Sequence, residues 1–579
     1  MNPPSKKTWR ITRNVLLSLA LCATLIAIYY TEELWRGKRA WENCRRTMET
    51  QGLNFNWADH IPAPVPANEN FFAVPEMQQW FVGRGPTTEL EKKLPDTSSW
   101  WSNRMIVAEL AIGRPDATAP DGYVTLRWDD PSARGEAARL LTNAVGPTAT
   151  APQSPMIVGF MTRRLEEIHP ARIFLQRETA PTEKELKEFL PDTIFVHAHY
   201  PPRKEALNFE PAGNGSYHVS LPVLETANDY LTLTRTADPS FALIRQALSR
   251  PSARMDGQYN VPAETPIPNF RSARAVAQTL TSRAQCHFLL GQPEEALPDL
   301  TLVHDMCHPI MEQNQPMTLV GAMINVAVAG LYADTIADGI QLHAWREPQL
   351  AALEEQLKQV KLLVPLKESF KMETVFLGTI LPDMSSKQLL GLVQAESDQR
   401  PPGFWKHRKD LLLTQMMPRG WVYQNLVAFI NLRPIAIAAV DPVNELIFPD
   451  KCADFAQREE ALVARGSPYA FLENAMTPNF SKACQTAARN QTRVKQTLIA
   501  CALERYHLAH GQYPETLDAL IPQYLDTLPN DVIGGAPFHY RPAAHDTFLL
   551  YSIGWNARDD GGVRGQSVTE GDWVWPYGP

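Results

Sequence analysis

Residues 15–30 read VLLSLALCATLIAIYY, an uncharged run whose fate decides the architecture of the chain around it. Lys6, Lys7, Arg10 and Arg13 precede it, and Glu32 and Glu33 follow. A helix that crosses about 30 Å of hydrocarbon wants roughly 17–25 residues. Thr31 and the amphipathic Tyr29, Tyr30 and Trp35 extend the run into the headgroup zone, where such rings settle. The reading is a single-pass transmembrane anchor over 15–31 behind a cytoplasmic tail at 1–14. A cleaved signal peptide shares the same physics but needs a small-x-small site. No A-x-A follows the run, and Leu21 before Cys22 does not suit a lipoprotein site. Arg36, Lys38, Arg39, Arg45 and Arg46 lie soon after the span, so basic residues flank both ends and do not set its direction. The commoner arrangement is expected, with the basic N-terminus in the cytoplasm and the long domain on the periplasmic side.

The chain has 579 residues, too many for one ordinary core. Roughly two to four domains are therefore expected. Hydrophobic residues make up 44% and charged residues 20%, the balance of a globular protein and not of a disordered one. The net charge is -8 with no long basic run, which argues against a polyphosphate partner such as nucleic acid. Proline is abundant and clusters in Pro62 to Pro66, Pro201-Pro202, Pro262 to Pro268 and Pro401-Pro402. Such segments read as stiff connectors, because proline fixes φ and lacks an amide donor.

A second apolar run, Leu319 to Ala333 (LVGAMINVAVAGLYA), contains Asn325 and leads into Asp334 and Asp338. Its length suits a buried core helix better than a span. Of the cysteines, Cys44, Cys286, Cys307, Cys452, Cys484 and Cys501 lie beyond the anchor, where an oxidising compartment would allow disulfides. Their wide spacing resembles no small stapled scaffold.

The expected organisation is an α+β multidomain chain. A juxtamembrane helix and Pro-rich linker cover 32–70, a mixed α/β region 71–268, a helical domain 269–480 and a C-terminal domain 485–579. In the mixed region, Arg172 to Leu175 and Thr193 to Tyr200 read as strands. Between them, Thr182 with Glu185 forms a capping box for a short helix. In the helical region, RAQCHFLLGQPEEALPDL resembles a tetratricopeptide helix-turn-helix, with Ala284, Gly291, Ala296 and Leu297 at the packing positions. Pro298 departs from that pattern and should kink the second helix, and no second copy follows. Leu350, Leu353, Leu357 and Val360 mark one further helical face.

The C-terminal stretch predicts a helix over about 487–510, stopped by Gly511, then a short second helix at Leu517 to Ile521. A hairpin from Phe538–Arg541 and Thr547–Ile553 follows, and then an acidic, Gly-rich loop at 554–562. This order resembles the globular domain of the major pseudopilin of type II secretion systems. The resemblance rests on Tyr506, Gly511, Tyr513, Pro514, Leu528, Pro529, Asp531, Tyr540, Leu550-Tyr551-Ser552, Gly554, Asn556 and Asp560 to Gly562. It covers about a sixth of the chain. It departs from the family in that the membrane run lies far upstream and no prepilin peptidase site is visible. The chain also resembles an uncharacterised family of large single-span bacterial envelope proteins, through Trp41-Glu42, Ile61 to Phe71, Pro418 to Asn425 and Gly571 to Trp575. That resemblance implies no particular activity. The pseudopilin resemblance implies calcium in the acidic loop, with Asn556, Asp559, Asp560 and Asp572 as the matching oxygen donors.

Two histidine patterns invite a metal. His197 and His199 form H-x-H on an expected strand, so both imidazoles would share a face, as in metal-dependent hydrolases. His304 and His308 share a helical face near Cys307 and Cys286-His287. Both patterns lack further ligands in the sequence, and ordinary structural histidines are the simpler account. No G-x-S-x-G, H-E-x-x-H, P-loop or G-x-G-x-x-G occurs. The leading expectation is a non-catalytic envelope scaffold that works through protein partners or self-association. A membrane-tethered hydrolase using His197 and His199, and an accessory of a type II secretion-like assembly, are the alternatives.

Overall fold

The computed structural model describes residues 6–83, 88–94, 223–311, 317–385, 388–389, 417–464, 467–470, 472, 479–543 and 547–576, with short strands between 110 and 220. The protein is mostly helical with small antiparallel sheets. Its helices begin with α1 (Lys6–Thr50), α2 (Pro75–Phe81), α3 (Glu89–Lys93), α4 (Val223–Thr234) and α5 (Asp238–Leu248). The central set is α6 (Phe270–Leu289), α7 (Pro293–Met311), α8 (Leu319–Gln341), α9 (Glu347–Gln359) and α10 (Leu363–Ile380). The last are α11 (Arg419–Ile430), α12 (Arg433–Ala438), α13 (Pro449–Ala464) and α14 (Phe480–His510).

α1 has two halves with different surroundings. Through Glu32 its described side chains are exposed, and this half is long and apolar enough to cross a membrane. From there on, Glu33, Gly37, Trp41, Cys44 and Met48 are buried. That 4-4-3-4 spacing is one helical stripe, and it lies against α11. The crossing is backbone to backbone. A side chain on Gly37 would overlap the carbonyl of Gly420, and one on Gly420 would overlap the carbonyl of Glu33. Glu33 is nonetheless a buried carboxylate, and it accepts hydrogen bonds from Arg36 at 3.0 Å and from the Tyr469 hydroxyl at 3.3 Å. Further along, Trp41 packs edge-on against Phe55.

The Pro-rich connector is tied down and does not hang free. Trp57 donates its indole N–H to the Tyr259 carbonyl at 2.7 Å, and Arg250 donates to the carbonyls of Ala67 and Asn70. Phe71 and Ser252 exchange backbone bonds with one another's neighbourhood, through Phe71 N–H to Ser252 O and Ser252 N–H to Glu69 O.

α8 is the second apolar run, and 72% of its most apolar window is covered by the rest of the protein. α6, α7 and α14 provide that cover. Gly330 lets α14 approach, because a side chain there would strike the Asn490 carboxamide. α14 starts at a side-chain cap from Asn479 and ends at Gly511, whose φ of 73° is left-handed. One core cluster takes in Phe71, Phe241, Leu280, Ala333, Leu353, Phe480, Leu498 and Trp575. It therefore joins described parts of the segments expected as separate domains at 71–268, 269–480 and 485–579. α7 begins at Pro293 after the left-handed Gly291, continues through Pro298 and includes Pro309 in its last turn.

The C-terminal sheet has order β1-β2-β3, with β1 (His539–Ala543), β2 (Thr547–Ser552) and β3 (Trp573–Trp575) all antiparallel. The third strand was not expected from alternation. It is tied to α14, since Gln496 donates to the Trp573 carbonyl at 2.9 Å and Trp575 donates to Thr497 at 3.2 Å. In the mixed region, the expected strands at 172–175 and 193–200 touch two short described ones, Leu175–Gln176 and Ile194–Phe195. These pair with Met156–Ile157 and Phe160–Met161, and not with each other. The helix expected from Thr182 lies outside the described residues. All seven cysteines are free, so no disulfide joins the pairs an oxidising compartment would permit.

The α1–α11 crossing generates a direct test. Gly420→Val should destabilise the detergent-solubilised protein by about 2 kcal/mol or more, as overpacking of a close contact does. Lys38→Ala, on the exposed face of α1, should stay within about 0.5 kcal/mol in the same urea unfolding experiment.

Candidate functional site

The acidic loop closes on itself. Asp572 is buried and accepts the backbone N–H groups of Asp560, at 3.1 Å, and Gly562, at 2.7 Å. Burial pushes its carboxyl above the usual range. Asp559 accepts from Gly561 N–H at 2.9 Å and from the Tyr551 hydroxyl at 3.1 Å, and the Gly561 contact first of all holds its carboxyl below the usual range. Asn556 donates to Asp560 at 2.7 Å. A calcium ion wants six to eight converging oxygens. Here the carboxylates turn to loop donors, and they form no convergent group of three among the described residues.

The histidine patterns fare differently. His197 and His199 lie outside the described residues. His304 bonds to Asp305 at 2.9 Å, His287 to Gln292 at 3.2 Å, and Cys286 is fully buried, its thiol raised by desolvation. The His308 side chain lies outside the described residues, and the others form no group of three metal-ligating side chains among the described residues.

Two arrangements do have the geometry of sites. The first is a cavity of about 970 Å³ between α7, α8 and the start of α10, covered by the connector at Asp59 to Ala63. Its size is at the upper end for small-molecule pockets. Val303, Ile61, Leu362 and Met372 give it apolar walls, and Asn325, Ala329 and Tyr332 reach it from one face of α8. Tyr332 is anchored through its hydroxyl to Gln356 at 2.6 Å, and Gln356 donates to Thr301 at 2.9 Å. Asn325 is 1% exposed, yet neither its oxygen nor its nitrogen has a partner. A buried carboxamide without partners is costly. It offers an acceptor beside two donors, which suits a ligand group carrying both, such as an amide or a carboxylic acid.

The second is a group of three ligand-type side chains, His343, Glu504 and His507, whose nearest donor atoms all lie within 4.8 Å of one another. Glu504 and His507 are three apart on the last turns of α14, so they share a face. His343 comes from the turn after α8. Its φ is 47°, and the turn is closed by His343 N–H to Ile340 O and Ala344 N–H to Gly339 O. That is the helix-ending position where glycine is usual, and a left-handed conformation costs another residue about 1–2 kcal/mol. His343 Nδ1 lies 2.8 Å from Glu504 Oε1, and the Tyr513 hydroxyl donates to Glu504 Oε2 at 2.7 Å. The His507 ring stacks on Tyr513 at 4.7 Å. Beside the group, Arg505 turns toward α9, to Glu347 at 2.7 Å and Glu354 at 2.6 Å. Burial pushes Glu354 up to about 7 against the pull of that arginine.

Asn325 was visible in the sequence as the polar interruption of an apolar run. Glu504 and His507 sat on an expected helix without forming a motif, and His343 carried no local signal. No family model matches the chain, and neither a curated protein nor a solved structure matches it.

The cavity reading has a stability consequence. Asn325→Leu replaces the orphaned carboxamide by an apolar group of similar volume, and should stabilise the ligand-free protein by about 1–3 kcal/mol. An unchanged or lowered thermal midpoint would show that the carboxamide is already satisfied.

Proposed function

We propose that this protein is a membrane-anchored envelope protein that works by binding. One N-terminal span at 15–31 holds a rigid body on the periplasmic side, and the body serves as a scaffold with the α7–α8–α10 cavity as its ligand site. The observation that carries this reading is the unbroken passage of α1 from an exposed apolar half into a stripe buried against α11. A helix that enters the body without a flexible joint sets the body's height and tilt relative to the bilayer. The second apolar helix, α8, is covered by protein, which favours one span over two.

The C-terminal module fits the same reading. A long helix, a left-handed glycine and an antiparallel hairpin follow one another in the order the pseudopilin resemblance implies, and a third strand, outside that expectation, adds to the hairpin. Here α14 is packed against α8, α9, α10 and α13, which supports a module used to build this body and weighs against filament assembly through that helix. Protein partners then meet the outer surfaces of the helical body or the sheet.

Membrane fractionation with protease accessibility tests the proposal. The full chain should sediment with membranes, resist alkaline carbonate and dissolve in detergent, and protease added to spheroplasts should digest the body. Recovery of the unprocessed chain in the soluble fraction would overturn the anchor, and a protected body would overturn the orientation.

A further inference from the structure

Beyond this binding role, the geometry points to a transition-metal site formed by His343, Glu504 and His507, with zinc the ion best suited to it. Two imidazoles and one carboxylate are the donors such an ion prefers, at about 2.0–2.2 Å each. A tetrahedral shell at those lengths separates donors by about 3.3 Å. The three donor atoms already lie within 4.8 Å of one another, so small side-chain rotations bring them onto one ion. Calcium, which wants six or more oxygens, does not suit this set.

The surroundings hold the donors where a metal needs them. Glu504 is fully buried, and Tyr513 takes up its Oε2, which leaves Oε1 directed to the His343 side. His507 is held by its stack on Tyr513. Outer partners of this kind fix ligand orientation in metal sites. His343 is 47% exposed at its side chain, which gives an ion a path in and leaves room for water at a fourth position. The hydrogen bond between His343 Nδ1 and Glu504 Oε1 is what these two groups make with each other, and the ion replaces it by binding both atoms. A histidine and not a glycine at the left-handed position is then explained, because the turn must supply a ligand. The bound ion would clasp the end of α8 to the end of α14, joining the helical core to the C-terminal sheet.

The test is zinc binding to the EDTA-stripped, detergent-solubilised full chain, read by metal analysis after dialysis and by the visible absorption of a cobalt(II) substitute. About one equivalent per chain is expected. His343→Gly keeps the left-handed turn while removing the imidazole, and His507→Ala removes the second. Each should weaken binding by more than the ~10–100-fold typical of losing an outer partner. His510→Ala, one turn beyond and stacked on Tyr506, should bind as the parent does. Near-ultraviolet circular dichroism confirms that the variants are folded, and His343→Gly serves if His507→Ala is not. A parent chain that holds no zinc, or a folded His343→Gly variant that holds it as tightly, overturns the site.

Discussion

Two long helices, α8 and α14, cover one another at the centre of the body, and each is buried on more than one side. Their contact depends on close approach, with Gly330 of α8 set against Asn490 of α14. Because α8 is apolar enough to cross a membrane by composition, its cover by α6, α7 and α14 is what keeps it in the folded body. The same packing places the C-terminal sheet on the helical core, through Gln496 and Thr497 to β3. Without α14 over it, α8 would expose a face that water does not tolerate.

A second contact of the same kind sets the relation between the body and the apolar N-terminal helix. Gly37 and Gly420 let α1 and α11 touch through their backbones, and the helix that leaves this crossing is the apolar one. A helix joined rigidly in this way transmits position, whereas a Pro-rich tether would not. The connector after Thr50 is itself fastened by Trp57, Arg250 and Asn70 to residues 250–259, so it acts as a strap and also covers the cavity.

Polar groups inside this apolar packing form the two candidate sites. Asn325 stands with no partner at the cavity wall, and a core under selection for stability alone would replace it by leucine. Glu504 and His507 sit at the end of α14 and meet His343 in a backbone conformation that histidine adopts at a cost. Strain and unsatisfied polarity together mark places where a fold gives up stability for something else.

Much of the architecture follows from local pattern. The apolar run at 15–30, the buried-helix length of 319–333, the face at Leu350, Leu353 and Leu357, the stop at Gly511 and the two hairpin strands are all periodicity or φ preference, which neighbouring residues express without help. What needed the tertiary structure is the pairing of distant segments. A stripe of 4-4-3-4 spacing on α1 does not name α11 as its cover, and cores expected as separate joined because α14 is apolar on more than one face. β3, three residues long, is too short for alternation to reveal it. The convergence of His343 with Glu504 spans 161 residues, and no spacing rule reaches that far. Sequence settles which faces must be buried, because that is a property of each segment; only packing settles what buries them, because that is a property of pairs.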